Sequence, residues 1–294
     1  MTTHTFPLKL EHMKFRSHSV IGIHELNGKI VFVQEALGDA PLEAPLENTI
    51  FPTIIIADVF SPDFSIHAQR HVSYKETTVL HGHYAESYIE NGRLFLNTLK
   101  TMRSSWADYQ KAFAKVFEIT GTEIRELSPS PEPEKLVYPD SKTYRFGNFA
   151  LRMASPFKLE CRAAASGALV WELRLRSYLY TELEVHDGIL YFGTAGSGGH
   201  FYGVSLADGR MIFDWNTGGT TDFTWVNRQV LITDRKGDLV LLNPANGVEM
   251  KRFHFKKLRA ATGLPVLVHE NSIYTVLCDG ENLHAACVDI PREA

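Results

Sequence analysis

A short glycine turn recurs along this chain, and its spacing constrains the fold more than any other feature. The glycines lie at positions 121, 167, 209 and 247, at intervals of 46, 42 and 38 residues. Runs of strand-forming residues flank each turn, and a strand-rich repeat near forty residues is typical of a β-propeller. The spacing therefore predicts an all-β fold built from repeated blades.

Six segments of the chain begin alike, with a two-residue turn followed by an apolar run. The clearest is Asp187 and Gly188 before Ile189, and the others follow turns at 27–28, 91–92, 147–148, 227–228 and 270–271. Asx and glycine residues suit such turns because they accept a positive φ. A second strand, a glycine turn and an outer strand follow each start. We predict six blades of four-stranded antiparallel sheets, with seven as the alternative.

The last copy, which begins near residue 270, ends before an outer strand. Residues 8–15 alternate apolar and polar side chains, the pattern of a half-buried edge strand. We predict that this N-terminal strand completes the last blade and closes the propeller, so that residues 1–294 form one domain. Proline-rich stretches near 38–52 and 128–140 are expected to be loops, although the second could also be a domain linker.

Residues 104–117 fit two patterns. Trp106, Tyr109 and Phe113 are spaced for one helical face, while Phe113 and Phe117 fit the strand before the turn at Gly121. We predict a short helix or loop up to about Lys111 and then a strand, because the repeat requires one there.

Charge and cysteine content narrow the possible partners and compartments. With 30 Lys and Arg against 34 Asp and Glu, the formal charge is −4, so nothing favours nucleic acid binding. No apolar run approaches the roughly 20 residues of a membrane helix, and the N-terminus lacks an export signal. The cysteines, Cys161, Cys278 and Cys287, are too scattered for a disulfide framework. We expect a soluble, cytoplasmic protein with reduced thiols; its oligomeric state is left open.

The segment from Ala165 to Trp171 places a tryptophan four residues after the glycine of its turn. With this motif, residues 166–256 resemble the pyrroloquinoline-quinone-like (WD40-like) β-propeller repeat. The corresponding positions after the other glycines hold Phe213, Lys251 and Arg125. The resemblance implies a propeller, a fold shared by quinone dehydrogenases and non-enzymatic scaffolds. The eight blades, export and paired cysteines typical of the quinone enzymes have no counterpart here, so we predict no quinone cofactor.

Two segments resemble small-ligand sites. His81 and His83 lie two residues apart on an extended segment, so both imidazoles point to one side and could bind a divalent metal with a third ligand. The glycine-rich stretch 193–199 resembles a phosphate loop, but it leads into a strand at Phe201 instead of a helix. We predict a flexible hairpin there.

Three aromatic residues are our candidates for partner binding. Phe223 and Trp225 follow a connection between blades, and Trp106 lies in the ambiguous region. Aromatic side chains dominate protein interfaces, but both residues could instead pack between blades, which we favour for Trp225. No catalytic trio can be distinguished from background.

These observations favour a non-enzymatic scaffold that binds a protein partner, as an adaptor, complex subunit or neutralising partner. The alternative is an enzyme, or a small-ligand or metal binder, with its site at the mouth of the central channel.

Overall fold

The computed structural model describes residues 3–9, 15–38, 50–77, 83–103, 109–127, 139–260, 265–280 and 282–290. In these ranges the protein is all β, apart from a 3₁₀ turn at Pro139–Ser141. No helix in the described ranges is long and apolar enough to cross a membrane. The chain divides into two compact units: unit 1 contains residues 1–134, 264–276 and 281–294, and unit 2 contains 135–263 and 277–280. The single domain expected over residues 1–294 therefore stays a prediction.

Unit 1 contains two sheets in which consecutive strands pair antiparallel. The first sheet contains β2 (Phe15–Leu26), β3 (Lys29–Gly38), β4 (Ile50–Phe60) and β5 (His67–Thr77). The second contains β6 (His83–Glu90), β7 (Arg93–Arg103), β8 (Tyr109–Ile119) and β9 (Ile124–Leu127).

Unit 2 contains three sheets with the same order. They are β10 (Thr143–Phe146), β11 (Phe149–Ser155), β12 (Lys158–Ala163) and β13 (Leu169–Arg174); β14 (Glu184–His186), β15 (Ile189–Gly193), β16 (His200–Ser205) and β17 (Met211–Asn216); and β18 (Phe223–Val226), β19 (Gln229–Thr233), β20 (Leu239–Leu242) and β21 (Glu249–Phe253).

The sixth sheet contains β24 (Ser272–Cys278), β25 (Leu283–Asp289) and β1 (Thr3–Leu8). Two short strands, β22 (Arg259–Ala260) and β23 (Leu267–His269), pair with β24 on its other side. The described residues thus form six antiparallel sheets, the blades of a β-propeller, as the repeat predicted.

The N-terminal strand that pairs with β25 is Thr3–Leu8, not the predicted 8–15. Leu8 is buried opposite Leu283, whereas Phe15 already begins β2. Pro7 makes the earlier segment look unlike a strand, but an edge strand tolerates a residue that donates no backbone hydrogen bond. The prediction that an N-terminal strand pairs with the last hairpin is therefore confirmed, but the residues predicted for that strand were wrong.

All six predicted start turns connect the first two strands of a sheet. Four of them have two consecutive residues with positive φ, at 27–28, 91–92, 187–188 and 227–228. Such turns match the twist of the strands they join. Three of the four glycines of the repeat, at 167, 209 and 247, have φ between 70° and 72° and join third to fourth strands. The glycine turns are therefore a backbone requirement.

Two local predictions need correction. Tyr109 and Lys111 lie in β8, so the strand begins before the predicted boundary, while 104–108 lie outside the described residues. Pro52 lies within β4, opposite Lys75, although proline signalled a loop near 38–52. Residues 39–49 and 128–138, where loops were predicted, are also outside the described residues.

The core of each unit lies between neighbouring sheets. In unit 2, Trp171 from the first sheet packs with Leu190 and Tyr202 from the second. Tyr191 and Phe213 of the second sheet pack with Val240 of the third. The second sheet of unit 2 is therefore apolar on both faces. None of the three cysteines forms a disulfide.

Candidate functional site

The predicted metal ligands are only partly described. His83 begins β6, where its backbone pairs with Lys100, and His81 lies outside the described residues. Among the residues that the structure describes, no group of three or more His, Cys, Asp or Glu side chains could hold a metal ion. The metal site therefore stays a prediction.

Phe223 and Trp225 lie in β18 and are half-buried. The Trp225 indole Nε1 donates a 2.8 Å hydrogen bond to Glu184, and its ring meets Tyr191 edge to face at 5.2 Å. The Phe223 ring lies 5.0 Å from that of Phe201. These contacts fit the packing alternative for both residues. Their role in partner binding, like that of Trp106 outside the described ranges, stays a prediction.

The glycine-rich stretch 193–199 leads into β16, which begins at His200. A Cβ at Gly199 would overlap the carbonyl oxygen of Gly219, and a Cβ at Gly193 would overlap that of Thr221. The carbonyl oxygen of Gly199 also accepts a 3.1 Å hydrogen bond from the backbone N–H of Thr217. Glycine is therefore needed at positions 193 and 199 because two backbone segments pack directly against each other there.

In the sheets of unit 2, two kinds of segment lie at the end opposite the glycine turns. They are the turns between second and third strands and the connections that leave each fourth strand. We call this end the loop face; it contains residues 156–157, 175–183, 194–199, 217–222, 234–238 and 254–258. Backbone hydrogen bonds join its parts, including Ala195 N–H to Tyr178 O at 2.8 Å and Thr221 N–H to Thr194 O at 3.1 Å.

Three aromatic side chains of the loop face are exposed to solvent. Phe157, Tyr178 and Tyr180 are 40%, 52% and 42% exposed. The rings of Phe157 and Tyr178 lie 4.7 Å apart. Because exposed aromatic side chains are favourable interface anchors, this cluster is a second candidate contact surface.

The loop face also contains a cationic cavity of about 600 Å³. Five of its lining residues are basic: Arg235, Lys236, Lys256, Lys257 and Arg259. None of these five forms an ion pair with any residue that the structure describes. Clustered charges of one sign in a concave surface raise the local potential and attract the opposite charge.

The carboxylate in the cavity lining, Asp238, is already paired. It is 4% exposed and accepts hydrogen bonds from His254 Nδ1 at 2.9 Å and Arg252 Nη1 at 3.2 Å. Because Asp238 bonds to these two residues, it does not neutralise the five cations of the lining. Arg252 also donates to Asp234 and Glu249. Its bonds, first of all to Glu249, hold the pKa of Arg252 above its ordinary value. The charge of Arg252 is therefore used inside the fold.

Two glycines of the loop face pack against arginines of the cavity. The space beside Gly218, where a Cβ would project, is filled by the aliphatic stem of Arg235, and that beside Gly237 by the Cβ and Cα of Arg259. The backbone N–H of Ala260 donates to Gly237 O at 2.8 Å, which fixes the strand carrying Arg259 against the turn. The Arg235 guanidinium therefore projects from a packed stem, whereas Arg259 is positioned through its backbone and Cβ.

Sequence reasoning missed this cavity because it considered the charge of the whole chain. A local signal was present, since residues 251–259 contain five Lys and Arg, at positions 251, 252, 256, 257 and 259. That local run was outweighed by acidic residues elsewhere. The contribution of Arg235 and Lys236 depends on sheet topology, which the run alone does not reveal.

A Ser–His pair occurs in unit 1. His24 Nε2 lies 2.7 Å from Ser87 Oγ, and burial lowers the pKa of His24 to about 4. A Cβ at Gly22 would overlap Ser87 Oγ, so glycine allows β2 and β6 to approach there. A neutral imidazole next to a hydroxyl is a minimal arrangement for activating a nucleophile.

No protein-family model and no curated protein matches the chain. Among solved structures, the WD40 β-propeller domain of Doa1 is 11% identical, with a TM-score of 0.39 over 96% of this chain and 95% of that one. Sqt1 from Saccharomyces cerevisiae is 9% identical, with a TM-score of 0.42 over 99% and 85%. BamB from Moraxella catarrhalis is 12% identical, with a TM-score of 0.33 over 94% and 99%. These likenesses concern the fold alone, and the finer resemblance to the quinone-type repeat stays a resemblance.

Proposed function

We propose that this protein is a non-enzymatic scaffold that binds an acidic segment of a protein partner at the cationic cavity. The observation that carries the proposal is the set of five basic side chains around one cavity, without ion-pair partners among the described residues. An acidic segment would supply the missing counter-charges, and complementary charge favours both encounter and register.

The exposed aromatic cluster supports the same surface. Tyr178 and Tyr180 alternate with buried Leu179 along the connection after β13, so the backbone fixes their outward direction. Interfaces gain affinity from aromatic and arginine side chains more than from other types. A partner that contacts both clusters would bury apolar rings and neutralise charge together. We place this binding in the cytoplasm, in line with the expectation from the cysteines.

Affinity capture with purified, immobilised protein tests this proposal. The double variant Lys256→Glu, Lys257→Glu reverses two exposed charges, whereas Arg174→Glu reverses an exposed charge on β13, outside the cavity. We expect a partner with an acidic segment to be recovered by the unchanged protein and by Arg174→Glu, and to be lost with the double variant. Recovery should fall as salt is raised.

The proposal would be contradicted if the double variant still recovered the partner. It would also be contradicted if the unchanged protein recovered no specific partner. Thermal melting of all three proteins shows whether the variants are folded. Photo-crosslinking from position 178 to the same partner would place the aromatic cluster in the interface.

The alternative function, an enzyme, is favoured by the pair His24 and Ser87. If the imidazole accepts the Ser87 proton while Oγ bonds to an acyl carbon, the bond from that carbon to the leaving group breaks and the imidazolium can return the proton to the leaving group. A fluorophosphonate probe tests this: labelling of Ser87 that disappears in His24→Gln would support a hydrolase, and an unlabelled protein would remove the alternative.

A further inference from the structure

We infer that the cationic cavity recognises a phosphorylated serine or threonine within the acidic segment of the partner. This inference rests on the proposed function and specifies the chemical group that occupies the cavity.

The number of unneutralised cations favours a phosphate over a single carboxylate. A phosphoserine carries a charge of about −1.5 to −2 and three strong acceptor oxygens, whereas a carboxylate carries one charge on two oxygens. Five basic side chains line the cavity, and Asp238 is occupied by Arg252 and His254. An incoming anion therefore meets hydrogen-bond donors with no competing free carboxylate in the lining.

The two arginines provide the geometry that phosphate prefers. The Arg235 stem packs against Gly218, and the backbone and Cβ of Arg259 lie against Gly237. Arginine binds phosphate through two parallel N–H donors, and a packed stem loses less conformational entropy when it does so. The cavity thus offers two guanidinium forks, and that of Arg235 projects from a packed stem.

The lysines complement the forks with mobile point charges. Lys256 and Lys257 are exposed on the connection after β21, and Lys236 is exposed on the turn after β19. The backbone N–H of Lys236 donates to Asp234 Oδ1 at 2.8 Å, so this turn keeps its shape while the lysine side chain stays free to bind. Acidic residues flanking the phosphate would contact these lysines.

Fluorescence anisotropy with three labelled peptides tests the inference. The first is Gly-Asp-Glu-phosphoserine-Asp-Glu-Gly, the second has glutamate in place of phosphoserine, and the third has unmodified serine. We expect the phosphopeptide to bind at least about 10-fold tighter than the glutamate peptide, since phosphate carries more charge and one more acceptor oxygen than a carboxylate. Arg235→Ala should lower the affinity for the phosphopeptide at least about 10-fold and the affinity for the glutamate peptide by less. Arg174→Ala should leave both affinities unchanged.

The other outcomes separate this inference from the proposed function. Equal affinity for the phosphopeptide and the glutamate peptide overturns the inference and leaves an acidic-segment scaffold. Failure to bind all three peptides overturns the inference, while affinity capture still decides the proposed function. If inorganic phosphate binds as tightly as the phosphopeptide, the ligand is a free anion. If an RNA oligonucleotide binds more tightly than the phosphopeptide, the ligand is a nucleic acid. Either result overturns the phosphopeptide assignment.

Discussion

The two ends of the sheets in unit 2 are built in opposite ways. At the glycine-turn end, Trp171 packs on Gly209 of the next sheet and donates a 2.8 Å hydrogen bond to Leu206 O. Trp215 likewise donates a 2.7 Å bond to Gly247 O. At the loop face, five cations surround a cavity without ion pairs to described residues.

This difference separates groups that stabilise the fold from the groups to which we assign binding. A buried indole whose N–H is bonded and whose ring fills a glycine notch contributes to folding. A cluster of like charges left unpaired lowers stability slightly through mutual repulsion, and in our proposal a ligand supplies the opposite charge. The comparison predicts large stability effects at the glycine-turn end and almost none at the cavity.

The largest expected effect is that of Trp171→Ala. Trp171 is 7% exposed and joins two sheets, so its removal leaves a cavity and an unbonded Leu206 carbonyl. We expect a loss of about 4 kcal/mol in the free energy of unfolding, measured by urea denaturation. Trp171→Phe keeps a ring in the notch and should lose less. A loss below about 1 kcal/mol for the alanine variant would refute the stabilising role of this end.

Arg252→Ala tests the part of the loop face that belongs to the fold. It removes the cation that bonds Asp234 and Asp238, both buried. Because Arg252 is about one-third exposed, with a side-chain exposure of 31%, we expect a loss of about 2 kcal/mol, less than for a fully buried pair. Lys251→Ala, one residue earlier, is the control and should change stability little.

The effect of Arg252→Ala should depend on pH. Burial raises the pKa of Asp234, but hydrogen bonds from Arg252 and the backbone outweigh it, and the net pKa lies below its ordinary value of 3.8. The stabilising contribution is therefore present above about pH 4 and is lost as the pH falls through the folded-state pKa. Unfolding curves from pH 7 to pH 3 should show the two proteins converging in acid. A difference that grows in acid would have the wrong sign.

A smaller effect is expected from a pair of glycine substitutions. Gly209 and Gly167 both have φ of 72°, but a Cβ at Gly209 would lie 2.7 Å from the Trp171 ring, whereas one at Gly167 meets nothing within 4 Å. Both alanine variants carry the cost of a positive φ, and Gly209→Ala should cost about 1 kcal/mol more. Equal losses of unfolding free energy in the two variants would show that the Trp171 ring moves away from the added Cβ at no cost in stability.

The glycine-turn end could be predicted from sequence because it repeats. The spacing of Gly167, Gly209 and Gly247 identified the blades, and the two-residue turns located their first hairpins. The N-terminal strand was misplaced because Pro7 is tolerated only where the strand lies at a sheet edge, which is a property of the assembled sheet.

The cavity could not be predicted in the same way, because its residues come from two segments. Arg235 and Lys236 precede β20, while Lys256, Lys257 and Arg259 follow β21. Only the antiparallel pairing of β20 with β21 brings these segments to one end of the sheet. The sequence also does not show which aromatic side chains reach the surface: Tyr178 is 52% exposed, whereas Trp225 is half-buried.

The smallest expected change in stability is that of Lys257→Ala. Lys257 is exposed and has no ion pair with a described residue, so its removal breaks no such ion pair and relieves repulsion among the remaining cations. The free energy of unfolding should stay within about 0.5 kcal/mol of the unchanged protein, with any shift towards greater stability. The same variant should lower the affinity for the phosphopeptide. Stability and peptide affinity are measured separately, so each can contradict the comparison by itself. A loss in the free energy of unfolding above about 1 kcal/mol would mean that Lys257 stabilises the fold, and the difference between the two ends would not hold at that position.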